Sequence, residues 1–560
     1  MDAWEQLIGR MKDKSREFAR LTLDDRIRLA EQMLDGYHQV AEESVIAACQ
    51  AKGIDPNSPL AGEEWLGGPM VTLRVLRQTL ESLRELKKHG AIRIEKSWTF
   101  KLPDGRLGLK VYPTTRIDST LLAGHTAEVH FRPGVTRENL RQHQASFYRQ
   151  PHQGKLCVVL GAGNVNAIAP TDVIYKLLVE GTVCLLKMNP VNAYLGPLLE
   201  RAFKAPIERG FLAVLQGGAE EGAWLTEHPL VDEVHITGSD HTYEQMVWGP
   251  PGPEREARKQ RRDPVLKKQV SAELGNVTPV IVVPGPYSAG ELNFQGKSIA
   301  GMVVNNASFN CNAAKLILTH QGWEGRPGLQ AAIKRGLQRA QVRKAYYPGA
   351  EERWRRFTEG RPGLNLVGTA GPGELPYALI PELDPNDPQE PFFRQESWSA
   401  VFGLTALEAG DPAEYLARAV DFVNERVWGT LCVTLVVHPK TLADPKLKHA
   451  VEEAIRKLRY GAVCINTWPG AVFGLGTTPW GAHPSSTPEN IQSGNGWVHN
   501  TLMLEEIEKV VLRAPVRTFP IPPWFPGHRT LDVLARKLTE LEYAPGWLKI
   551  PAIAAAAMRG

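Results

Sequence analysis

A chain of 560 residues is too long for one hydrophobic core, so two or three domains are expected. The net charge of +4 is small for this length and argues against a nucleic-acid-binding surface. The six cysteines form no CxxC pair, which argues against a disulfide scaffold or a structural zinc site and fits a reducing compartment. No secretory leader opens the chain, and no apolar run approaches the roughly 18 residues of a membrane span. A soluble, cytoplasmic protein is therefore expected.

Residues 1–90 show helical periodicity. Thr22 is a suitable helix N-cap, with Asp25 as an imperfect capping-box partner, and apolar residues recur at helical spacing after it. From Ser97 to Pro133 the pattern changes to strands, and Pro103-Asp104-Gly105 is predicted to turn between two strands of a hairpin. We interpret the helices as packing surface and the strands as a small peripheral sheet that could serve a contact between subunits.

Residues 156–285 alternate between strand and helix. Short apolar runs at 156–160, 182–187 and 212–215 are typical of buried parallel strands, and a further run at 231–236 leads into Thr237-Gly238-Ser239. Thr171 or Asp172 is expected to cap the helix between the first two strands, and Gly181 to end it. This alternation predicts a doubly wound α/β domain with a ligand crevice at the carboxyl ends of its strands.

The remaining chain contains a second α/β region and two less regular segments. Pro250 to Lys268 joins Pro-Pro-Gly-Pro to a basic run, for which an exposed loop is favoured over a patch that binds an anionic partner. After Cys311, strands and helices alternate to about residue 470. Residues 515–560 are Pro-rich, then helical from Thr530 to Leu541, then Ala-rich. The sequence does not indicate what this last segment does.

Several polar residues directly follow the predicted strands. Gly161-Ala162-Gly163 begins like a dinucleotide-binding loop but lacks the third glycine, so it is weak as a fingerprint. The side-chain amide of Asn164 could instead donate to a developing oxyanion. Lys187 and Gly238-Ser239 end the following strands, where a cation, a close backbone approach and a hydroxyl can reach a nucleotide. Taken singly, each is better explained as ordinary loop or surface chemistry.

Glu273 and Cys311 are the candidate reactive side chains. Glu273 stands between an apolar strand and a loop, where a raised pKa would make it a general base; the alternative is an exposed loop carboxylate. Cys311 lies within Asn305–Lys315, which is rich in amide and small residues that could leave a thiolate accessible. The alternative for Cys311 is a buried small hydrophobe, the commoner fate of a cysteine.

Taken in order, these residues resemble the motifs of the aldehyde dehydrogenase superfamily over about residues 20–510. The resemblance implies that Cys311 is the nucleophile, Glu273 the general base and Asn164 the oxyanion donor. It also implies cofactor contacts for the residues that match the remaining motifs: Lys187, Gly238, Ser239, Leu274, Glu396 and Trp398. Glu396 would hold the nicotinamide ribose. Asn306, five residues before Cys311, and Asn466 match further asparagines of the family.

The resemblance further implies an α/β fold with a Rossmann-type cofactor domain, an α/β catalytic domain and a small strand-built oligomerisation element. The corresponding ranges are 1–96 and 134–285 for the NAD(P)-binding domain, 286–480 for the catalytic domain, 97–133 and 490–515 for the oligomerisation element, and 516–560 for a C-terminal extension of unknown role. The implied cofactor is NAD or NADP, the substrate a small aldehyde, and the assembly a homodimer or homotetramer. No metal is implied.

Some positions depart from the family pattern. Asn276 replaces a glycine after the general-base motif, and Ser308-Phe309-Asn310 replaces the usual Gly-Gln before the nucleophile. Pro190 stands where NAD-preferring members often place a glutamate, which leaves NADP open. Trp468, Phe473 and Phe309 are candidates for an apolar substrate entrance, although core packing explains them equally well.

The expected reaction is oxidation of an aldehyde to a carboxylic acid through a cysteine thiohemiacetal and a thioester. A CoA-acylating reductase would use the same cysteine but pass the thioester to CoA, and Glu273 argues against it. A catalytically weak cofactor-binding scaffold is a third alternative, because the neighbours of several motifs are altered. Nucleic-acid binding through the basic run at 254–268 is the remotest alternative, since no aromatic residues are interleaved with the charges.

Overall fold

A computed structural model describes residues 2–560 and begins with a helical region. Its helices are α1 (Asp2–Ala19), α2 (Leu23–Lys52), α3 (Gly62–Trp65) and α4 (Val71–His89). The capping box before α2 is complete, because the Thr22 hydroxyl accepts from the Asp25 N–H and the Asp25 carboxylate accepts from the Thr22 N–H. The sequence-based description of Asp25 as an imperfect partner was therefore too cautious.

The strand-rich segment that follows forms the predicted hairpin and one further strand. Its elements are β1 (Thr99–Lys101), β2 (Leu107–Tyr112), α5 (Arg116–Leu121) and β3 (Thr126–Phe131). Strands β1 and β2 pair antiparallel across the Pro103-Asp104-Gly105 turn, and β2 pairs antiparallel with β3.

The next region is a parallel sheet with helices packed around it. Its strands are β4 (Leu156–Leu160), β5 (Val183–Lys187), β6 (Leu212–Leu215), β7 (Glu233–Gly238) and β8 (Gln269–Leu274). Its helices are α6 (Ile168–Ile174), α7 (Gly196–Ala202), α8 (Lys204–Glu208), α9 (Ala219–Glu227), α10 (Asp240–Trp248) and α11 (Pro253–Arg261). The strand order is β6-β5-β4-β7-β8. From β4 the sheet therefore grows first to one side, through β5 and β6, and then to the other, through β7 and β8. This order confirms the predicted doubly wound domain, whose ligand crevice lies at the carboxyl ends of the strands.

Two local predictions in this region were wrong. Helix α6 begins at Ile168, before Thr171, whose hydroxyl donates to the Ala167 carbonyl from inside the helix. Asp172 does not cap the helix either, because its buried carboxylate accepts a hydrogen bond from Thr237.

The segment from Pro250 to Lys268 is not simply a loop, because it contains α11. Proline near the start, glutamates in the first turn and basic residues in the last turn all favour that helix.

The second half of the chain contains most strands of a larger mixed sheet, several helices and two separate two-stranded sheets. In chain order its elements are β9 (Pro279–Val282), α12 (Ala289–Val304), β10 (Leu316–His320), α13 (Arg326–Leu337), β11 (Arg343–Lys344), α14 (Ala350–Thr358), β12 (Asn365–Val367), β13 (Glu374–Leu375), β14 (Tyr377–Leu383), α15 (Pro391–Arg394), β15 (Val401–Leu407), α16 (Pro412–Glu425), β16 (Cys432–Val436), α17 (Pro445–Lys457), β17 (Ala462–Ile465), α18 (Gly470–Leu475), β18 (Pro479–Gly481), β19 (Trp497–His499) and β20 (Ile507–Arg513). The larger sheet has the order β1-β2-β3-β20-β17-β16-β9-β10-β15-β14-β12.

This order bears on two of the predicted ranges. Strand β9 lies within 134–285 but pairs with β10 and β16, so the change from one sheet to the other falls directly after β8. The strands of the predicted oligomerisation element, β1 to β3 and β20, extend the larger sheet of the same chain. A contact of this element with another copy of the chain stays a prediction.

The last segment is helical and packs back on the N-terminal helices. Its helices are α19 (Leu531–Tyr543) and α20 (Ile550–Met558). Glu542 of α19 accepts hydrogen bonds from Arg74 and Arg77 of α4, and apolar side chains of α19 and α20 form a cluster with residues of α5. Across residues 2–560, no helix combines the length and the apolar character that crossing a bilayer requires.

Candidate active site

Cys311 and Glu273 meet where the two sheets adjoin. Glu273 is the next-to-last residue of β8. Cys311 follows α12 and a short loop with left-handed backbone. The Cys311 thiol faces the Glu273 carboxyl group and lines a cavity of about 340 Å³. The Thr278 hydroxyl donates to the Cys311 carbonyl at 3.0 Å and holds the backbone there. Residues that are 38 positions apart in the chain are thus neighbours, with Glu273 buried behind the cavity that Cys311 lines.

The electrostatics of the Cys311–Glu273 pair suit proton transfer. Glu273 is 2% exposed, and neither of its carboxylate oxygens has a hydrogen-bond partner within the described residues. Burial raises the pKa of Glu273 to about 8, and the Asp172 carboxylate adds to this rise. Burial, and then the charge of Glu273, raise the pKa of the Cys311 thiol well above its ordinary value. In this structure Cys311 is therefore a protonated thiol beside a carboxyl group that can accept a proton near neutral pH.

The loop before Cys311 has an unusual backbone. Asn306, Ala307 and Ser308 have φ values of 51°, 52° and 72°, which is the left-handed region that glycine favours. Each such residue costs on the order of 1–3 kcal/mol and persists only when its surroundings fix it. The side-chain amide of Asn306 helps to hold this backbone, because it donates to the carbonyl oxygens of Asn164 and Phe309.

Asn164 lies against the same loop, directly after β4. Its side-chain amide donates to the Phe309 carbonyl at 2.9 Å, two residues before Cys311. Its own backbone carbonyl accepts from Asn306 and from the Lys52 ammonium. Asn164 therefore stands next to the predicted nucleophile, and one of its two amide hydrogens already holds the loop. The second remains for the oxyanion role that the family resemblance implies.

Lys52 and Glu64 form a buried ion pair behind this loop that sequence reasoning missed. The Lys52 ammonium lies 2.9 Å from both carboxylate oxygens of Glu64 and donates at 3.0 Å to Asn164 O and to Asn306 Oδ1. Lys52 looks like an ordinary last-turn cation of α2, so the sequence carried no signal for this contact. One ammonium thus ties the N-terminal helices to both the Asn164 turn and the nucleophile loop.

We expect Lys52→Met to destabilise the protein by about 3–5 kcal/mol, because it leaves Glu64 buried without a counter-charge. Thermal and denaturant unfolding would measure this loss. Lys14→Met is a matched control, since its pair with Glu17 is about half exposed and is expected to contribute at most about 1 kcal/mol. The thiol-labelling rate of Cys311 should rise in Lys52→Met and stay unchanged in the control. Equal stability of both variants would contradict the assigned role of Lys52.

The predicted cofactor residues of the doubly wound sheet share one edge. Lys187 ends β5, Gly238 ends β7 and Leu274 ends β8, so all three lie at the carboxyl edge of the same parallel sheet. Ser239 is the N-cap of α10, and its hydroxyl accepts from the Thr242 N–H. Burial lowers the pKa of Lys187, and the Glu221 carboxylate opposes this change. This is the edge where a doubly wound fold binds nucleotides.

Glu396 approaches that edge from the segment between α15 and β15, and Trp398 lies two residues further along the same segment. A Cβ at Gly275 would come within 2.4 Å of Glu396 Oε2, so glycine is what lets the Glu396 carboxyl group lie against the end of β8. Within the described residues Glu396 Oε1 has no hydrogen-bond partner, and burial raises the pKa of this carboxyl group well above its ordinary value. The Trp398 ring packs edge-on against Tyr347. An unpaired buried carboxyl oxygen beside Gly275 fits a ribose hydroxyl as its partner.

Two other predictions have different outcomes. The Asn466 side chain does not reach the cleft, because it bonds the backbone of Val437 and the Ala514 carbonyl and so holds neighbouring strands together. Trp468 and Phe473 line the cavity of Cys311 as predicted. Phe309 does not line it, because it is buried in an aromatic cluster with Tyr346, Tyr347 and Trp398.

Comparisons with known proteins find sequence similarity over part of the chain. Residues 120–341 match the model of the aldehyde dehydrogenase family. A 4-trimethylaminobutyraldehyde dehydrogenase A of Danio rerio is 28% identical over 152 residues, which is 27% of each chain. An N-succinylglutamate 5-semialdehyde dehydrogenase of Novosphingobium aromaticivorans is 25% identical over 265 residues, 45% of this chain and 50% of that protein. The chain thus matches about half or less of the length of these curated relatives.

The fold is matched over a longer range. The NADP-dependent glyceraldehyde-3-phosphate dehydrogenase of Bacillus halodurans, solved with NADP, superposes with a TM-score of 0.61 at 15% identity and 91% coverage of each chain. The match to the family model thus covers residues 120–341, and the structural match shows that the chain as a whole has the fold of this dehydrogenase.

Proposed function

We propose that this protein oxidises an aldehyde to a carboxylic acid with NAD or NADP, using Cys311 as nucleophile. The observation that carries the proposal is the contact of the half-buried Cys311 thiol with the buried Glu273 carboxyl group at the carboxyl edge of a nucleotide-type sheet. A thiol and a carboxyl group with a pKa of about 8 are the two groups that thioester chemistry in water needs. The match of residues 120–341 to the aldehyde dehydrogenase family model supports the same reaction.

The first chemical step forms a carbon–sulfur bond. The Cys311 thiol loses its proton to solvent, and the thiolate attacks the carbonyl carbon to give a thiohemiacetal. The second amide hydrogen of Asn164 and the backbone N–H of Cys311 stabilise the oxyanion, an effect of roughly 3–4 kcal/mol per donor. A nicotinamide held by Glu396 would supply the hydride acceptor needed to convert the thiohemiacetal on Cys311 into a thioester.

The second step returns the enzyme to its starting state. Glu273 removes a proton from water, the hydroxide attacks the thioester carbonyl, and the carbon–sulfur bond breaks to release the carboxylic acid. Glu273 then passes its proton to the Cys311 thiolate. The buried position of Glu273 keeps its pKa near the pH at which this proton transfer must occur. Glu273 also disfavours a CoA-acylating reaction, in which water must be kept from the thioester.

The residues that would hold the cofactor fit the group. Gly238 and Ser239 offer backbone and hydroxyl contacts for a pyrophosphate at the start of α10, and Glu396 offers an unpaired oxygen for the nicotinamide ribose. Lys187 offers a cation at the end of β5. Pro190 places no carboxylate beside the adenine ribose, so nothing at that position repels a 2′-phosphate.

We expect Lys187→Met to weaken cofactor binding by about tenfold to a hundredfold, the contribution of one charge-assisted hydrogen bond. Fluorescence titration with NADH and NADPH in the absence of aldehyde would measure the Kd. Lys204→Met is a matched control, because Lys204 lies exposed on α8 of the same domain. Unchanged Kd values for both cofactors in Lys187→Met would remove Lys187 from the cofactor site.

The function itself is tested by assaying a panel of aldehydes with NAD and NADP in parallel, each with and without CoA. Reduced cofactor and free acid formed without CoA would support the proposal. Turnover that requires CoA would assign the thioester to CoA transfer, and cofactor binding without any turnover would identify a scaffold.

A further inference from the structure

The cavity lined by Cys311 is also lined by residues far from the reacting groups. Asn306 and Asn310 beside Cys311 form its polar end. Apolar side chains of the C-terminal helices also line it, among them Leu534, Leu538 and Ile553. Trp468, Phe473 and the Pro-rich segment 518–524 contribute further parts of its wall. The C-terminal extension, whose role the sequence did not indicate, is therefore a wall of the candidate substrate cavity.

We propose that this cavity binds the hydrocarbon tail of a long-chain aliphatic aldehyde, with residues 518–557 holding the tail and Cys311 the carbonyl. This inference deepens the proposed function and rests on it. A cavity of about 340 Å³ lies in the range that encloses a whole small molecule, roughly 300–1,000 Å³. A short aldehyde would fill only the polar end and leave the apolar wall without a partner.

The charges at the cavity wall exclude a charged tail. Arg74 donates to both Asp118 and Glu542, so its guanidinium is neutralised by two carboxylates. Lys52 is paired with Glu64 in the network behind the nucleophile loop. The remaining carboxylate of the wall, Glu63, is paired with Arg343 at 2.5 Å. Among the described residues, each Lys, Arg, Asp and Glu that lines the cavity is thus in an ion pair, which leaves none to bind an anionic or cationic terminus.

The position of Phe519 indicates where a tail could enter. Phe519 lines the cavity and is nevertheless 81% exposed, so this residue of the Pro-rich segment stands at the rim. Exposed aromatic side chains of this size are uncommon on a protein surface and gain most when an apolar ligand covers them. An aliphatic chain passing Phe519 toward Cys311 would cover both this ring and the wall formed by α19 and α20.

The experiment is a chain-length series on the full protein, from propanal to hexadecanal, with kcat/KM measured for each aldehyde. In the wild type, kcat/KM should rise by up to about fourfold for each added methylene until the cavity is filled. Leu538→Trp places a larger side chain of α19 in the cavity. It should lower kcat/KM for dodecanal at least tenfold and leave kcat/KM for propanal unchanged. Ala557→Phe is a second obstruction, from α20. Val533→Trp is the matched control, because Val533 lies on the exposed face of α19.

The outcomes separate this inference from the proposed function. A flat or falling chain-length profile in an active wild type overturns the tail site and leaves aldehyde oxidation standing, as does an equal loss for propanal and dodecanal in both obstructed variants. A comparison of nonanal with its ω-carboxylate analogue tests the charge argument, and a preference for the carboxylate would overturn it. If no aldehyde is oxidised, binding of dodecan-1-ol can still be measured by calorimetry. Binding that Leu538→Trp abolishes would then support the tail site while the proposed function fails.

Discussion

Replacing Cys311 with alanine is expected to lower NAD(P)-dependent aldehyde oxidation by roughly 10³-fold or more, because no other group can form the thioester. Cofactor binding, measured by fluorescence titration, should remain within about twofold of the wild type, since Cys311 contributes no charge to that site. Steady-state formation of reduced cofactor and single-turnover release of acid would both be measured. The expected result is loss of both signals with the fold intact.

The matched control is Cys464→Ala. Cys464 is also a free cysteine and is fully buried in β17, and it faces the core of the larger sheet. This variant should lose some stability and keep its turnover. Retained aldehyde oxidation in Cys311→Ala, or an equal loss in both variants, would refute the nucleophile assignment.

Replacing Glu273 with glutamine should separate the two halves of the reaction. We expect a burst of reduced cofactor close to one equivalent per site, followed by a steady-state rate at least about a hundredfold below that of the wild type, because general-base activation of water is lost. Rapid mixing with excess aldehyde would resolve the burst. Absence of a burst would place Glu273 in the first step as well as in the second.

The pH dependence gives a sharper test of the same residue. The wild-type steady-state rate should rise with pH through about 8, where Glu273 loses its proton. Asp172→Asn removes a carboxylate that raises the pKa of Glu273, so this limb should move to lower pH while its plateau remains. An unmoved limb would show that another group controls it.

The same pKa has a consequence for stability. The pKa of Glu273 rises from its ordinary 4.5 to about 8 on folding, so the folded protein binds the extra proton between these values. The free energy of unfolding should therefore fall as pH rises through this window. Glu273→Gln should remove that part of the decline, which unfolding at about pH 5 and about pH 8.5 would detect.

The sequence was informative wherever a local pattern determines structure. The apolar runs at β4, β5 and β6 predicted the parallel sheet because a buried strand needs apolar residues on both faces. The helical start at Ile168 was missed because Thr171 and Asp172 look like caps, whereas tertiary contacts use both side chains inside the domain. Helix α11 was missed because its charge run resembles a solvated loop.

The candidate site, too, was predicted only in part from the sequence. Cys311, Glu273 and Asn164 each lie in a recognisable motif, so the order of the motifs was enough to predict them. The structure places Glu273 beside Cys311 and Asn164 against the loop before Cys311, and of the three only Cys311 lines the cavity. The contact of Lys52 with Asn306 joins residues 254 positions apart and leaves no periodic trace in the sequence. The cavity wall formed by Leu534 and Ile553 was equally invisible, because two short amphipathic helices do not indicate what they cover.

Strand β20 gives the larger sheet a particular folding problem. It lies between β3 and β17, so the sheet becomes continuous only when residues 507–513 meet residues 126–131. Contacts of such long sequence separation form slowly. Until they form, β3 and β17 expose unpaired edges that can capture strands of other molecules. Recovery of native protein after denaturation should therefore depend steeply on how dilute the chains are kept.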